Sequence, residues 1–159
     1  MPTIGITGHR GLPADIEDYA RSEILKILSR YEGPDLVGIS CIADGPDSIF
    51  AQEVLNHGGQ LTVVVPATRY REGLPETHHA LYDELLGEAT SIVALPHEAS
   101  ESTAHQDASE RLVDKADLLI AVWDGQPSRG FGGTADVVAY AYNTGKTVDI
   151  VWPAGAQRP

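Results

Sequence analysis

The chain has 159 residues, which fits one domain better than two, and a domain of this size can rest on its own hydrophobic core. Its 23 acidic residues face 11 basic ones, and the resulting net charge of −12 opposes non-specific attraction to nucleic acid or anionic membranes. The single cysteine, Cys41, excludes an internal disulfide, and no apolar run reaches the ~20 residues that span a bilayer. Met1 leads straight into a strand pattern rather than a signal peptide, so a cytoplasmic location is expected.

Thr3 to Thr7 is short, apolar and β-branched, and Gly8-His9-Arg10-Gly11 closes it as a buried first strand. Pro13 opens a helix whose apolar face is Ile16, Tyr19, Ala20, Ile24, Ile27, Leu28 and Tyr31, and Gly33-Pro34 stops it. Leu36 to Cys41 reads as the second strand, followed by a helix that starts near Asp44-Gly45-Pro46-Asp47 and ends at about Asn56. Leu61 to Val65 is an uninterrupted apolar strand of the kind buried on both faces. A twelve-residue loop from Pro66 to Thr77 then precedes a helix from His78 to about Glu88.

Ser91 to Leu95 is the fourth strand, and a polar link leads to a helix from about Thr103 to Ala116. Leu118 to Val122 is the fifth strand and empties into Trp123-Asp124-Gly125. The helix from Gly133 to Asn143 is capped by Gly145, and Thr147 to Trp152 is the last strand. The pattern predicts a three-layer α/β/α sandwich of Rossmann-like type, with a mainly parallel six-stranded sheet. Residues 1–152 form the single domain, and residues 153–159 a short flexible tail.

In such folds ligands sit beyond the carboxyl ends of the strands, near the point where strand order reverses. Three loops there have suitable chemistry. In the first, Gly8 permits close backbone approach, and His9 and Arg10 would supply positive charge to a phosphate. In the second, Ser40 to Asp47, Gly45 opens a helix whose free amides suit an anion. Ser40 and Asp44 belong to the same set, although Asp44 fits an ordinary N-cap better, and Asp47 reads as dipole complementarity. In the third, Asp124-Gly125 and Gly132-Gly133-Thr134 precede a helix of small residues, with Asp124 placed to accept from a ribose hydroxyl and Arg129 to clamp a phosphate.

Gly145-Lys146-Thr147 looks like the end of a Walker A motif, but Tyr140 stands where its first glycine belongs, and it lies between helix and strand in the wrong order. Adjacent His78 and His79 point about 100° apart on a helix, and there is no thiol cluster. Neither a metal nor a cofactor is expected.

The Thr7-Gly8-His9-Arg10 loop, the stretch from Gly38-Ile39-Ser40 to Asp44-Gly45-Pro46-Asp47, and Gly132-Gly133-Thr134 resemble the SLOG superfamily. That group contains the DNA-processing protein DprA (Smf) and the LOG-type "lysine decarboxylase-like" proteins. Ser40 to Pro66 looks most like DprA; Ala116 to Val151 looks more like LOG proteins and nucleoside deoxyribosyltransferases. The resemblance implies a nucleotide site, a homodimer and, in the LOG branch, cleavage of an N-glycosidic bond by a glutamate three residues after the threonine. Val137 occupies that position here, and Asp136 falls one residue early, about 100° away on a helix.

Three functions remain open at this point. The first is a sensor or carrier domain for a nucleotide or nucleotide-derived small molecule. The second is an N-glycosidic hydrolase or transferase acting on a nucleoside monophosphate, with Asp136, Asp124 or Asp44 as the catalytic carboxylate. The third is an interaction module whose glycines are only turns. No membrane partner is expected, and the charge and scarcity of lysine argue against nucleic acid.

Overall fold

A computed structural model describes all 159 residues. Six strands form one sheet: β1 (Thr3–Gly8), β2 (Val37–Ser40), β3 (Gln60–Ala67), β4 (Ser91–His97), β5 (Leu118–Val122) and β6 (Thr147–Val151). Every pairing is parallel, and the strand order is β4-β3-β2-β1-β5-β6. The helices are α1 (Ala14–Leu28), α2 (Pro46–Asn56), the short α3 (Tyr70–Gly73), α4 (His79–Glu88), α5 (Ser102–Lys115) and α6 (Thr134–Asn143).

The chain steps outward from β1 to β4, then returns past β1 to β5 and continues to β6. Right-handed crossovers in opposite directions put α1, α2 and α4 over one face and α5 and α6 over the other. The expected α/β/α sandwich is therefore present, and its sheet is wholly parallel. Burial on both faces explains why β5 reads Leu-Leu-Ile-Ala-Val, all five residues buried. On α1, Ile16, Ala20, Ile24, Ile27 and Leu28 are buried at helical spacing, whereas Tyr19, expected on that face, is exposed. No helix is long and apolar enough to cross a membrane.

Four local details differ from the sequence reading. The segment expected as a twelve-residue loop contains α3 and a 3-10 turn at Glu76–His78, and it buries Tyr70 and Leu74. A single helical turn carries no periodicity from which it could be read. β4 runs on through Pro96 to His97, which an edge strand tolerates because no ladder hydrogen bond is lost there. Gly45, not Asp44, is the N-cap of α2. Finally, residues 153–159 fold back over the sheet edge: the Trp152 indole donates to Ala156 O at 2.9 Å, and Arg158 reaches His9.

Candidate functional site

β1 and β5 are neighbours whose following helices leave toward opposite faces, which opens a crevice at their carboxyl ends. A cavity of about 380 Å³ lies there. Its walls come from the loop after β1, the ends of β2 and β3, α3, α5, the loop before α6, and Arg158. The chain can approach itself this closely because residue 8 is glycine: a Cβ there would lie 2.8 Å from the Pro46 ring and 3.0 Å from Val122. Gly8 therefore serves packing between β1, β5 and α2, and it also borders the cavity.

His9 is buried against Trp152, ring edge to face, with centroids 5.8 Å apart. Its Nε2 lies 3.1 Å from Asp124 Oδ1, and an Arg158 guanidinium N–H donates to Nδ1 at 2.7 Å. Nε2 therefore faces both the Asp124 carboxylate and the Asp124 amide, which donates to it at 3.2 Å, while Nδ1 accepts from Arg158. Burial, then the Arg158 charge, lowers the His9 pKa against the opposing pull of Asp124. His9 is thus a neutral bracket, and the expectation that it supplies positive charge is corrected. Arg158, from the segment expected to be a flexible tail, brings the charge instead.

Asp124 is equally committed. Burial disfavours its charge, but the Gln126 amide, His9 and Arg158 outweigh that and hold its pKa below the ordinary carboxylate value. Asp124 and Gly125 do not border the cavity, so the expected ribose contact is not in place. Arg10 does border it, paired with Asp44 at 2.7 Å. The expected capping role of Asp44 is corrected on the same ground: its carboxylate faces Arg10 and makes no cap hydrogen bond.

The loop after β2 is pinned from within. Ser40 Oγ donates to Asp47 O at 3.0 Å and accepts the Ile42 amide at 2.9 Å, so Ser40 is a loop brace rather than a ligand contact. Ile42 is buried and β-branched with φ +47°, a left-handed conformation that costs on the order of 1–2 kcal/mol. His78 Nε2, 3.0 Å from Ile42 O, helps hold it there. Gly45 follows with φ +91° and ψ −140°, a combination only glycine adopts readily, and it faces a smaller groove beside Glu17 and Arg21, outside the main cavity. The turn directs the Asp47 side chain to the cavity wall. Of 23 acidic residues in the chain, Asp47 alone lines this cavity. Burial pushes its carboxyl up to about 7, against the Ala43 amide and Arg10, with Asp44 adding to the rise.

At the opposite wall, Gly132, Gly133 and Thr134 bring the amino end of α6 to the cavity, and its first amides have no intrahelical acceptor. Asp136 does not border the cavity; its Oδ2 accepts the Gly132 amide at 2.9 Å, and its own amide donates to Ser128 Oγ at 3.3 Å. That carboxylate holds the loop's shape. Arg129 lines the cavity and donates to the Arg158 carbonyl at 3.4 Å and to Pro159 O, on the last residue, at 2.6 Å.

The inner end of the cavity is polar in another way. Tyr70 and Cys41 both line it, and the Tyr70 hydroxyl makes no protein hydrogen bond, although the residue is 5% exposed. Burial, then Cys41 and Asp47, pushes that hydroxyl well above its usual pKa; burial does the same to the Cys41 thiol. The ring of His105 packs edge-on against Tyr70, with centroids 5.8 Å apart.

Of the residues named from sequence, the structure gathers Gly8, His9, Arg10, Arg129, Gly132, Gly133 and Thr134 around one cavity. Ser40, Asp44, Gly45, Asp124, Gly125 and Asp136 stand outside it. Sequence reasoning missed Asp47, Tyr70, His105 and Arg158. Tyr70 lay in a presumed loop and Arg158 in a presumed tail, so neither carried a pattern.

No family model matches this sequence, and neither does any curated protein. Solved structures do match. DprA from Streptococcus pneumoniae superposes with a TM-score of 0.71 at 16% identity, over 94% of this chain and 50% of that one. DprA from Helicobacter pylori gives 0.69 at 14% identity, over 94% and 64%. The molybdenum cofactor binding protein of Rippkaea orientalis gives 0.61 at 16%, over 94% and 75%. This chain shares the Rossmann-like fold of these proteins.

The chain spans half the length of the first of these proteins and under two thirds of the second. The likeness also corrects the expectation about nucleic acid. The Helicobacter protein is described for its single-stranded DNA binding mode, so net charge is no ground for setting nucleic acid aside. The relevant charge is local: Arg10, Arg129 and Arg158 surround one opening in a chain whose net charge is −12.

Proposed function

We propose that this SLOG-type chain binds a phosphate-bearing, nucleotide-like small molecule in the cavity between β1, α3 and α6, as a sensor or carrier domain. One observation carries the reading. Three of the chain's eight arginines and the open amino end of α6 converge on a single cavity at the carboxyl ends of the strands. In this reading Arg129, Arg158, Gly133 and Thr134 take the phosphate, and Arg10 lies at the mouth. A molybdenum cofactor binding protein among the fold's neighbours supports the same direction. The homodimer rests on the family resemblance alone.

The test is thermal unfolding across nucleoside monophosphates, cyclic nucleotides, dinucleotides and a short single-stranded oligonucleotide. A ligand at about 100 times its dissociation constant adds roughly 2.7 kcal/mol, which moves the midpoint by several degrees. A selective shift that is lost in Arg129→Ala supports the reading; a panel in which no small molecule shifts the midpoint overturns it. An oligonucleotide shift without a mononucleotide shift assigns the cavity to strand binding. For the N-glycosidase alternative, Asp47 is the one acidic residue that borders the cavity, and release of free base from the stabilising nucleotide tests it.

A further inference from the structure

Resting on that reading, we propose that Asp47 and Tyr70 form an inner subsite that takes the acceptor edge of an oxo-purine-type heterocycle while the phosphate stays with the arginines outside. The geometry comes first. Tyr70 stands on α3 with its hydroxyl unpartnered in the cavity wall, in a residue that is 95% buried by its 5% exposure. Its oxygen is open to the cavity rather than sealed in the protein, so the hydroxyl is free to donate to a ligand or water there. Asp47 uses Oδ2 for a long, 3.4 Å bond from the Ala43 amide and leaves Oδ1 without a protein partner. Both side chains border the same space, which is closed on its apolar side by Leu74 and Leu112.

The polarity of this end differs from that of the mouth. Arg10, Arg129 and Arg158 are cationic and suit an anion. The Tyr70 hydroxyl and the Cys41 thiol are held protonated by burial, so they offer donors rather than charges. The charged groups acting on Asp47 are Arg10 from the β1 loop and Asp44 from its own loop; Cys41 at the end of β2 and Tyr70 on α3 face it as neutral groups whose own pKa values its charge raises, with His105 of α5 behind Tyr70. Arg10 lowers the Asp47 pKa, whereas burial and Asp44 raise it, and burial is the largest influence. Its carboxyl therefore remains a hydrogen-bond donor until close to neutrality. A ring that presents a carbonyl oxygen beside a ring nitrogen matches two converging donors, and an ionised Asp47 would repel it.

The experiment compares inosine 5′-monophosphate with ribose 5-phosphate, which carries the phosphate and sugar without the ring, by calorimetry at about pH 6 and about pH 8. Phosphate ionisation affects both probes alike, so the ratio of their affinities reads the ring alone. Inosine monophosphate binds the tighter at the lower pH, and its advantage shrinks at the higher. Tyr70→Phe lowers the advantage by about tenfold, the loss expected for one hydrogen bond, and leaves ribose 5-phosphate unchanged. Asp47→Asn, neutral at either pH, removes the pH dependence. Equal binding of the two probes to the wild type overturns the inner subsite and leaves the phosphate reading standing. An equal loss of both probes in Tyr70→Phe reduces Tyr70 to a structural role and overturns the proposal too. Absence of binding by either probe removes the phosphate reading and the inference together.

Discussion

His9 and Asp124 join the two strands that flank the switch point: Nε2 lies 3.1 Å from Oδ1, with both side chains almost fully buried. Arg158 completes the arrangement from the far end of the chain, its Nε 3.4 Å from Asp124 Oδ2. Residues separated by 115 and 149 positions are thereby held in one polar unit in the cavity wall. Asp124→Ala leaves a buried guanidinium facing a neutral imidazole without its counter-charge. The expected cost is about 3 kcal/mol, typical of breaking a buried pair by removing one partner. Chemical denaturation checks the figure. A loss below about 0.5 kcal/mol would mean that the pair is solvated and worth no more than a surface ion pair.

Asp47 gives a pH dependence with a definite sign. Its carboxyl stands near 3.8 in the unfolded chain and is raised to about 7 in the fold. Between those values the folded state holds more protons, so stability falls as pH rises from about 4 to about 7 and the penalty is complete above that. Asp47→Asn removes the penalty. The variant should match the wild type near pH 4 and exceed it near pH 8 by an amount on the order of 2–4 kcal/mol, since each pH unit between the two values contributes about 1.4 kcal/mol. Urea titrations at the two pH values decide the point. A pH-independent difference would show that Asp47 is ionised in the fold throughout.

The contrast between Asp47 and Asp136 shows what the sequence could and could not convey. The alternation of apolar runs with capped helices carried the layers and the parallel sheet, because burial on both faces leaves a mark on every residue of a strand such as β5. The same reading located the crevice and seven of the residues around it. It could not choose among carboxylates. Asp47 and Asp136 both sit in the first turn of a helix, and only the strained loop through Ile42 and Gly45 turns the former to the cavity. Asp136 instead finds the Gly132 amide four residues back. Arg158 was illegible for a different reason: one residue in a polar segment has no periodicity, and its partners are distant in sequence.

Asp136→Asn separates a structural carboxylate from a catalytic one. Here the side chain accepts the Gly132 amide and fixes the loop that presents Gly133 and Thr134. Losing the charge weakens that bond, with a stability cost of about 1 kcal/mol, the scale of a helix-cap substitution. Affinity for any cavity ligand should fall in parallel because the amides lose their alignment. Calorimetric unfolding and ligand titration of the one variant measure both. Unchanged stability and affinity with loss of a base-releasing activity would restore Asp136 as a catalytic residue.

Acid should release the terminal segment through His9. Burial and Arg158 lower its pKa from the ordinary 6.5, so below that pH the unfolded chain takes up a proton that the fold resists. Stability is therefore lost as pH falls from about 6.5 toward the folded-state value, a trend opposite in sign to that of Asp47. Protonation puts an N–H on Nδ1, which now accepts from Arg158 at 2.7 Å, and sets two cations against each other. The Trp152 ring, 5.8 Å from the imidazole, reports the change by fluorescence once Trp123→Phe removes the other indole. In an Asp47→Asn background the acid transition stands alone, and loss of the Trp152 signal should coincide with faster proteolysis after Pro153. A Trp152 signal that is flat down to about pH 4.5 would mean that His9 stays neutral without needing Arg158 displaced, and that the segment is held by the Arg129 contacts instead.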